Sequence, residues 1–320
     1  MSLSDHVNAD VRLAVKASRV GSAVTFAAKH RLFIERRRHR LLRSFDNATS
    51  DADPYGLSDY RGTHVGETCI VVGNGPSVTP CDLDAVMDSG IPSFGANRVS
   101  DLFESSRWRP TYLCAMEHGF LNKADGREGI AEFVRSLDGT GVGHVFLNEE
   151  HIPGMGGYKS NLVSFVRCPL SPLYSTCLMP FSDDARSYVA DLGSVTHFSI
   201  QLACFMGFAT IYLLGVDNTY RKYMGLDGMF HVENERPSHA AGISAVADDT
   251  AAERVPRSAF EAYRMGGFAD MRKADIGYLM CKEWAAAHDV KIYNATRGGA
   301  LEVFERVDLD EVLELFKEGS

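Results

Sequence analysis

The run Cys69-Ile70-Val71-Val72-Gly73-Asn74-Gly75-Pro76-Ser77 constrains the chain most, because a short apolar strand feeds directly into a turn suited to a phosphate. Gly73 and Gly75 open backbone conformations closed to other residues, and Pro76 suits a first helical position. Asn74 and Ser77 add side-chain hydrogen bonds, so the turn reads as a nucleotide loop. An ordinary tight strand-to-helix connection would carry the same residues. The spacing is neither Gly-x-Gly-x-x-Gly nor Gly-x-x-x-x-Gly-Lys-[Ser/Thr], which argues against a dinucleotide dehydrogenase and a Mg-ATP hydrolase.

Around this strand the chain alternates strands and helices. Strands are expected at 68–72, 92–97, 111–116, 144–147, 209–214 and 290–293, and helices at 81–89, 195–206, 271–287 and 309–317. Most of the strands finish in polar residues, the pattern of a parallel sheet with its ligand beyond the carboxyl ends. The expected class is α/β: a Rossmann-like, mostly parallel sheet flanked by helices, with a small lid insertion and an N-terminal helical arm. The arm covers 1–46, a linker 47–66, and the catalytic domain 67–320 with its lid at about 220–270, of which 220–253 reads as irregular and polar. Residues 151–187, rich in glycine and proline, read as long loops near the site.

Charge separates the arm from the body. Residues 1–46 hold ten Lys/Arg against four acids, +6, within a chain of net charge −9, leaving −15 elsewhere. Apolar residues interspersed with those charges suit docking on the body or a second subunit, with an anionic membrane surface as the alternative. An acidic body excludes nucleic acid as the main partner. Seven cysteines without a Cys-x-x-Cys pair argue against a disulfide framework or structural zinc, so a reducing cytoplasm is expected, peripheral to the inner membrane face if the arm binds lipid.

Five short motifs in order carry a family likeness: Gly73-Asn74-Gly75-Pro76-Ser77, Asn97 after the second strand, Gly193-Ser194-Val195, Gly215-Val216-Asp217, and Asn294-Ala295-Thr296-Arg297-Gly298-Gly299. Over roughly 67–307 the chain resembles the bacterial sialyltransferase-like glycosyltransferases and the related flagellin-glycosyltransferase and 6-hydroxymethylpterin diphosphokinase-like domain. The resemblance implies that Asn74, Gly75 and Ser77 hold phosphate and ribose, and that Asn97 and Ser194 contact the nucleotide. It also implies that Tyr220 and Tyr223 donate hydrogen bonds to the departing phosphate. Two positions depart from the family: a histidine base falls near Asp270, and an arginine expected before Ser194 is Asp191.

Transfer with inversion needs a base for the acceptor hydroxyl, and histidine suits that task near neutrality. His231 is the first choice and Asp270 the second, with His118 and His239 also present. Asp217 is suited to a ribose hydroxyl, and Asn294 and Thr296 stand at another strand end as nucleotide contacts beside Arg297, which is suited to neutralise phosphate; each of these residues equally serves a purely structural turn. No spacing of ligands defines a metal site. The expected activity is metal-independent transfer of a sugar, an acidic nonulosonic type from a CMP-activated donor, to a polysaccharide or glycolipid precursor. The alternatives are pyrophosphate transfer from ATP with Mg2+ held by Asp217, Asp227 and Glu117, and a non-catalytic nucleotide-binding scaffold. A homo-oligomer is compatible with all three.

Overall fold

The computed structural model describes residues 53–116, 129–169, 179–233, 237, 239–241, 243, 255–256, 262 and 268–317. The basic arm, Glu117 and His118 lie outside them. Eight strands form the main sheet: β1 (Thr68–Val72), β2 (Ser93–Ala96), β3 (Tyr112–Ala115), β4 (His144–Asn148), β5 (Val163–Val166), β6 (Thr210–Leu214), β10 (Lys291–Asn294) and β11 (Glu305–Arg306). Their order is β11-β10-β6-β1-β2-β3-β4-β5, and every pair is parallel. The chain thus winds outward from β1 to β5, crosses back, and continues on the other side from β6. Between β1 and β6 the winding direction reverses, and such a switch point opens a crevice beyond the strand ends. This is the expected Rossmann-like α/β architecture.

Strand alternation assigns the two faces. Ile70, Val72, Leu113, Ala115, Val145 and Leu147 share one core with helices α1 (Pro80–Asp88), α2 (Ile130–Leu137) and α5 (Leu309–Lys317). Against the other face, α3 (Val195–Met206) packs on β1, β2 and β3, and α4 (Met271–Ala287) packs on α3. Helix α3 starts where Ser194 accepts the Thr196 N–H at 3.2 Å and stops at Gly207, whose φ of 92° is costly for a side chain. The remaining three strands, β7 (Lys222–Met224), β8 (Phe230–Val232) and β9 (Ala269–Asp270), make a small separate sheet in the order β8-β7-β9.

Three expectations are corrected. The segment 53–66, read as linker, is a packed layer: Leu57 is fully buried, and Tyr60 packs its ring on Tyr112, His144 and Phe146 at 6.4, 5.0 and 5.0 Å. His64 stacks on Phe208 at 4.3 Å, and the Gly62, His64 and Gly66 N–H groups donate to Phe205, Met206 and Gly207. Polar, aperiodic composition concealed this, because Leu57, Tyr60 and His64 are widely spaced anchors with no periodic apolar pattern. The stretch 151–187 contains β5, a four-residue edge strand too short for a periodicity signal. Part of the lid, expected to be irregular, holds β7 and β8.

Buried imidazoles give the fold an acid limit. Burial lowers the His197 pKa to about 3 and that of His144 to about 4. A histidine whose folded pKa lies below its unfolded value stabilises fully above about pH 6.5 and loses that contribution as pH falls toward the folded pKa. For His197 the loss reaches up to about 4 kcal/mol by pH 3. Urea midpoints measured from pH 7 to pH 4 are expected to fall steeply in the wild type and less steeply in His197→Phe, which keeps the ring contact with Tyr278 at 4.1 Å.

Candidate functional site

The loops leaving β1 and β6 lock together at the switch point. Gly73 N–H donates to the Leu214 carbonyl at 2.8 Å and Gly75 N–H to Gly215 at 2.9 Å. The Ser77 hydroxyl donates to Asp217 Oδ2 at 2.7 Å and the Ser77 N–H to the same oxygen at 3.4 Å. Neither Gly73 nor Gly75 has a left-handed φ. Their role is close approach: a Cβ on Gly73 would lie 2.5 Å from the Gly215 carbonyl oxygen, and one on Gly75 would lie 2.6 Å from it and strike the Asp217 carboxylate. Gly75→Ala is therefore expected to cost roughly 3 kcal/mol by forcing the two loops apart, read as a lowered urea midpoint together with weaker nucleotide binding.

Pro76 does not start the helix. Thr79 caps α1, with Pro80 in its first turn, and Thr79 and Asp82 satisfy each other's backbone in a capping box. The β1 loop is accordingly a longer connection than a tight turn, and the α1 terminus lies three residues beyond Pro76. Asn74 donates from Nδ2 to the Ala96 carbonyl at 3.0 Å, bridging β1 to β2, and Asn97 Oδ1 accepts the Met116 N–H at 3.2 Å, bridging β2 to β3. Asn97 adopts a φ of 46°, a conformation asparagine tolerates better than most residues.

Ser194 stands on the same edge. The carboxyl end of α3 hydrogen-bonds with residues just before β1, and twelve helical residues rise about 18 Å, which matches the length of a five-residue strand. The α3 amino terminus therefore reaches the level of the strand ends, where free N–H groups and the helix dipole favour an anion. It is anchored from α4: Lys273 Nζ donates to Asp191 Oδ2 at 2.8 Å, and Gly193 N–H donates to Asp191 Oδ1 at 3.0 Å. Asp191 thus fixes the loop before Ser194 through a buried ion pair.

Asp217 is 6% exposed; burial raises its pKa, and the Ser77 hydrogen bonds oppose that rise. Tyr220 follows, its phenol pushed up to about 12 by burial and by Asp275, so it is a proton donor throughout the neutral range. Tyr278 of α4, absent from the sequence candidates, carries a raised pKa from burial and interacts with Tyr220, Thr196 and Ser194. It links the Tyr220 turn to the α3 terminus; its only sequence signal is a tyrosine inside an amphipathic helix.

The small sheet gathers the catalytic candidates. Tyr223 pairs with His231 across β7 and β8, with rings stacked at 4.9 Å, and Met224 pairs with Asp270 across β7 and β9. His231 is 39% exposed at its side chain and its Nε2 lies 3.5 Å from Asp227 Oδ1. The Tyr223 hydroxyl donates to Glu233 Oε1 at 2.6 Å. Asp270 is occupied as the α4 cap, accepting the Lys273 N–H at 3.3 Å and pairing with Arg272 at 3.3 Å.

At the β10 exit the side chains face inward. Asn294 Nδ2 donates to Leu301 O at 2.8 Å, its Oδ1 accepts the Thr296 N–H at 3.0 Å, and Thr296 Oγ1 accepts the Val216 N–H at 3.0 Å. These two residues brace the β6 loop. Arg297 forms an ion pair with Asp82 of α1. Among the described residues no group of three or more His, Cys, Asp or Glu is placed to hold a metal ion, and no helix is long and apolar enough to cross a membrane.

No family model and no curated protein matches the chain. Among solved structures it is similar to the MAf glycosyltransferase from Magnetospirillum magneticum AMB-1, with a TM-score of 0.43 and 14% identity over 81% of this chain and 38% of that one. The chain thus spans well under half the length of that enzyme.

Proposed function

We propose that the chain is a metal-independent glycosyltransferase. Its donor is an acidic, nonulosonic-type sugar activated with CMP, and its acceptor is a hydroxyl of a cell-surface polysaccharide or glycolipid precursor. The observation that carries this reading is the union of the Gly-Asn-Gly-Pro-Ser and Gly-Val-Asp loops at the β1–β6 switch point, with the α3 amino terminus on the same edge. Open α/β sheets bind nucleotides at such a point.

In this reading the nucleoside lies over the strand exits, and the phosphate meets Ser194 and the Tyr220 phenol. His231 removes the acceptor proton as the acceptor oxygen attacks the anomeric carbon. The bond from that carbon to the phosphate oxygen breaks, its electron pair leaves with the nucleotide, and Tyr220 stabilises the new charge by a hydrogen bond. Asp270, held by the α4 cap, positions β9 beside β7 instead of moving protons.

Thermal unfolding with CMP, CDP, UDP, GDP and ATP tests the reading. A cytidine nucleotide at 100 times its dissociation constant adds about 2.7 kcal/mol, enough for a rise of several degrees. Stabilisation by none of the cytidine or uridine nucleotides would remove the proposal. A response to ATP that depends on Mg2+ would favour pyrophosphate transfer in its place.

A further inference from the structure

Asn218, directly after Asp217, is held in a costly state. Its φ is 51°, in the left-handed region, and it is 6% exposed. Its amide nitrogen donates to Asp275 Oδ1 at 2.8 Å, which fixes the orientation of the amide: the nitrogen must face the carboxylate, so the other atom is the oxygen. That oxygen is screened from water and has no hydrogen-bond donor among the described residues. A buried acceptor left in this way is destabilising, and it calls for a partner that the described residues do not supply. Asn74, at the β1 exit, shows the same arrangement, with Nδ2 anchored and Oδ1 buried without a partner among the described residues.

The sign of these groups selects the ligand atom. Asn74 Oδ1, Asn218 Oδ1 and the Asp217 carboxylate are all acceptors, and an array of acceptors repels phosphate oxygens and attracts hydroxyl hydrogens. A donor activated with a ribonucleotide such as CMP offers a ribose diol, and acceptors at the carboxyl ends of parallel strands are suited to read it.

We propose that Asn218 is a specificity residue of the nucleotide site whose Oδ1 accepts a hydrogen bond from a ribose hydroxyl, with Asp275 as its positioning residue. This rests on the nucleotide-donor reading above. The hydrogen bond forms with local repacking of the turn from Asn218 to Tyr220, since the oxygen is covered in the ligand-free chain. The αL backbone is part of the device: it turns the amide toward α4, where Asp275 holds the nitrogen and leaves the oxygen unused.

Calorimetric titration of the full chain with CMP, 2′-deoxy-CMP and 3′-deoxy-CMP tests the assignment, using wild type, Asn218→Gly, Asp275→Ala and Asp275→Asn. Glycine accepts the left-handed φ, so Asn218→Gly is expected to keep or raise the urea midpoint. Wild type is expected to bind CMP about tenfold tighter than at least one deoxy analogue. Asn218→Gly is expected to lose about the same factor on CMP and to bind all three alike. Asp275→Ala should reproduce that loss, and Asp275→Asn, which still offers an acceptor to the Asn218 amide, should recover most of it. CMP affinity and discrimination unchanged in Asn218→Gly would overturn the role of Asn218 while leaving the nucleotide reading intact. A folded wild type that binds no CMP would overturn both.

Discussion

A chain carrying Leu57→Ala and Tyr60→Ala together is expected to be largely unfolded at room temperature. Leu57 is 1% exposed, and the Tyr60 ring is wedged among Tyr112, His144 and Phe146. Truncating a buried leucine or a well-packed aromatic costs about 3 kcal/mol each, through lost burial and the cavity left behind. The pair thus removes much of the 5–15 kcal/mol typical of a domain. Because the two side chains belong to one layer, their effects need not add, and each single variant should be measured beside the double. Urea unfolding followed by fluorescence and by circular dichroism gives the answer. A double variant with the wild-type midpoint would mean that 53–66 is an attached linker after all.

His231→Ala is expected to lower kcat by a factor of about 10² to 10⁴ while nucleotide affinity stays within a factor of two or so. The imidazole belongs to β8 of the small sheet and not to the main-sheet exit loops, so its removal should spare donor binding and cost only the proton transfer. Release of CMP from a CMP-activated sugar, with and without acceptor, separates the two. Asp270→Asn supplies the contrast: it weakens a helix cap by about 1 kcal/mol and should leave turnover nearly intact. The opposite outcome, with His231→Ala active and Asp270→Asn inert though folded, would move the base to Asp270 and require the α4 cap to open during turnover.

Much of the site was legible in the sequence because it is built from local signals. Gly73 to Ser77, Ser194 and Asp217 each follow or precede a strand or helix whose apolar pattern is unmistakable, and the sheet does bring them to one edge. Ser77 and Asp217 were read as separate ligand contacts, however, and they spend their strongest hydrogen bond on each other. Asn294 and Thr296 were read in the same way from their place at a strand end, and their side chains are consumed in bracing the β6 loop. Asn218, Asp275 and Tyr278 were not distinguished in the sequence, since an asparagine after a strand and two such residues in a helix are ordinary until the fold brings them together.

The sequence by itself determined the elements: where apolar runs must become strands, where Ser194 and Gly207 bound a helix, and that alternating strands and helices require a parallel sheet. These follow from short-range sterics and side-chain periodicity, which act over a few residues. Only the tertiary structure decided the strand order, the joining of the β1 and β6 exit loops, the packing of 53–66 over β3 and β4, and which polar side chains spend their hydrogen bonds within the fold. Those properties depend on pairings between residues as far apart as Ser77 and Asp217, where burial and hydrogen-bond partners are set by the whole fold.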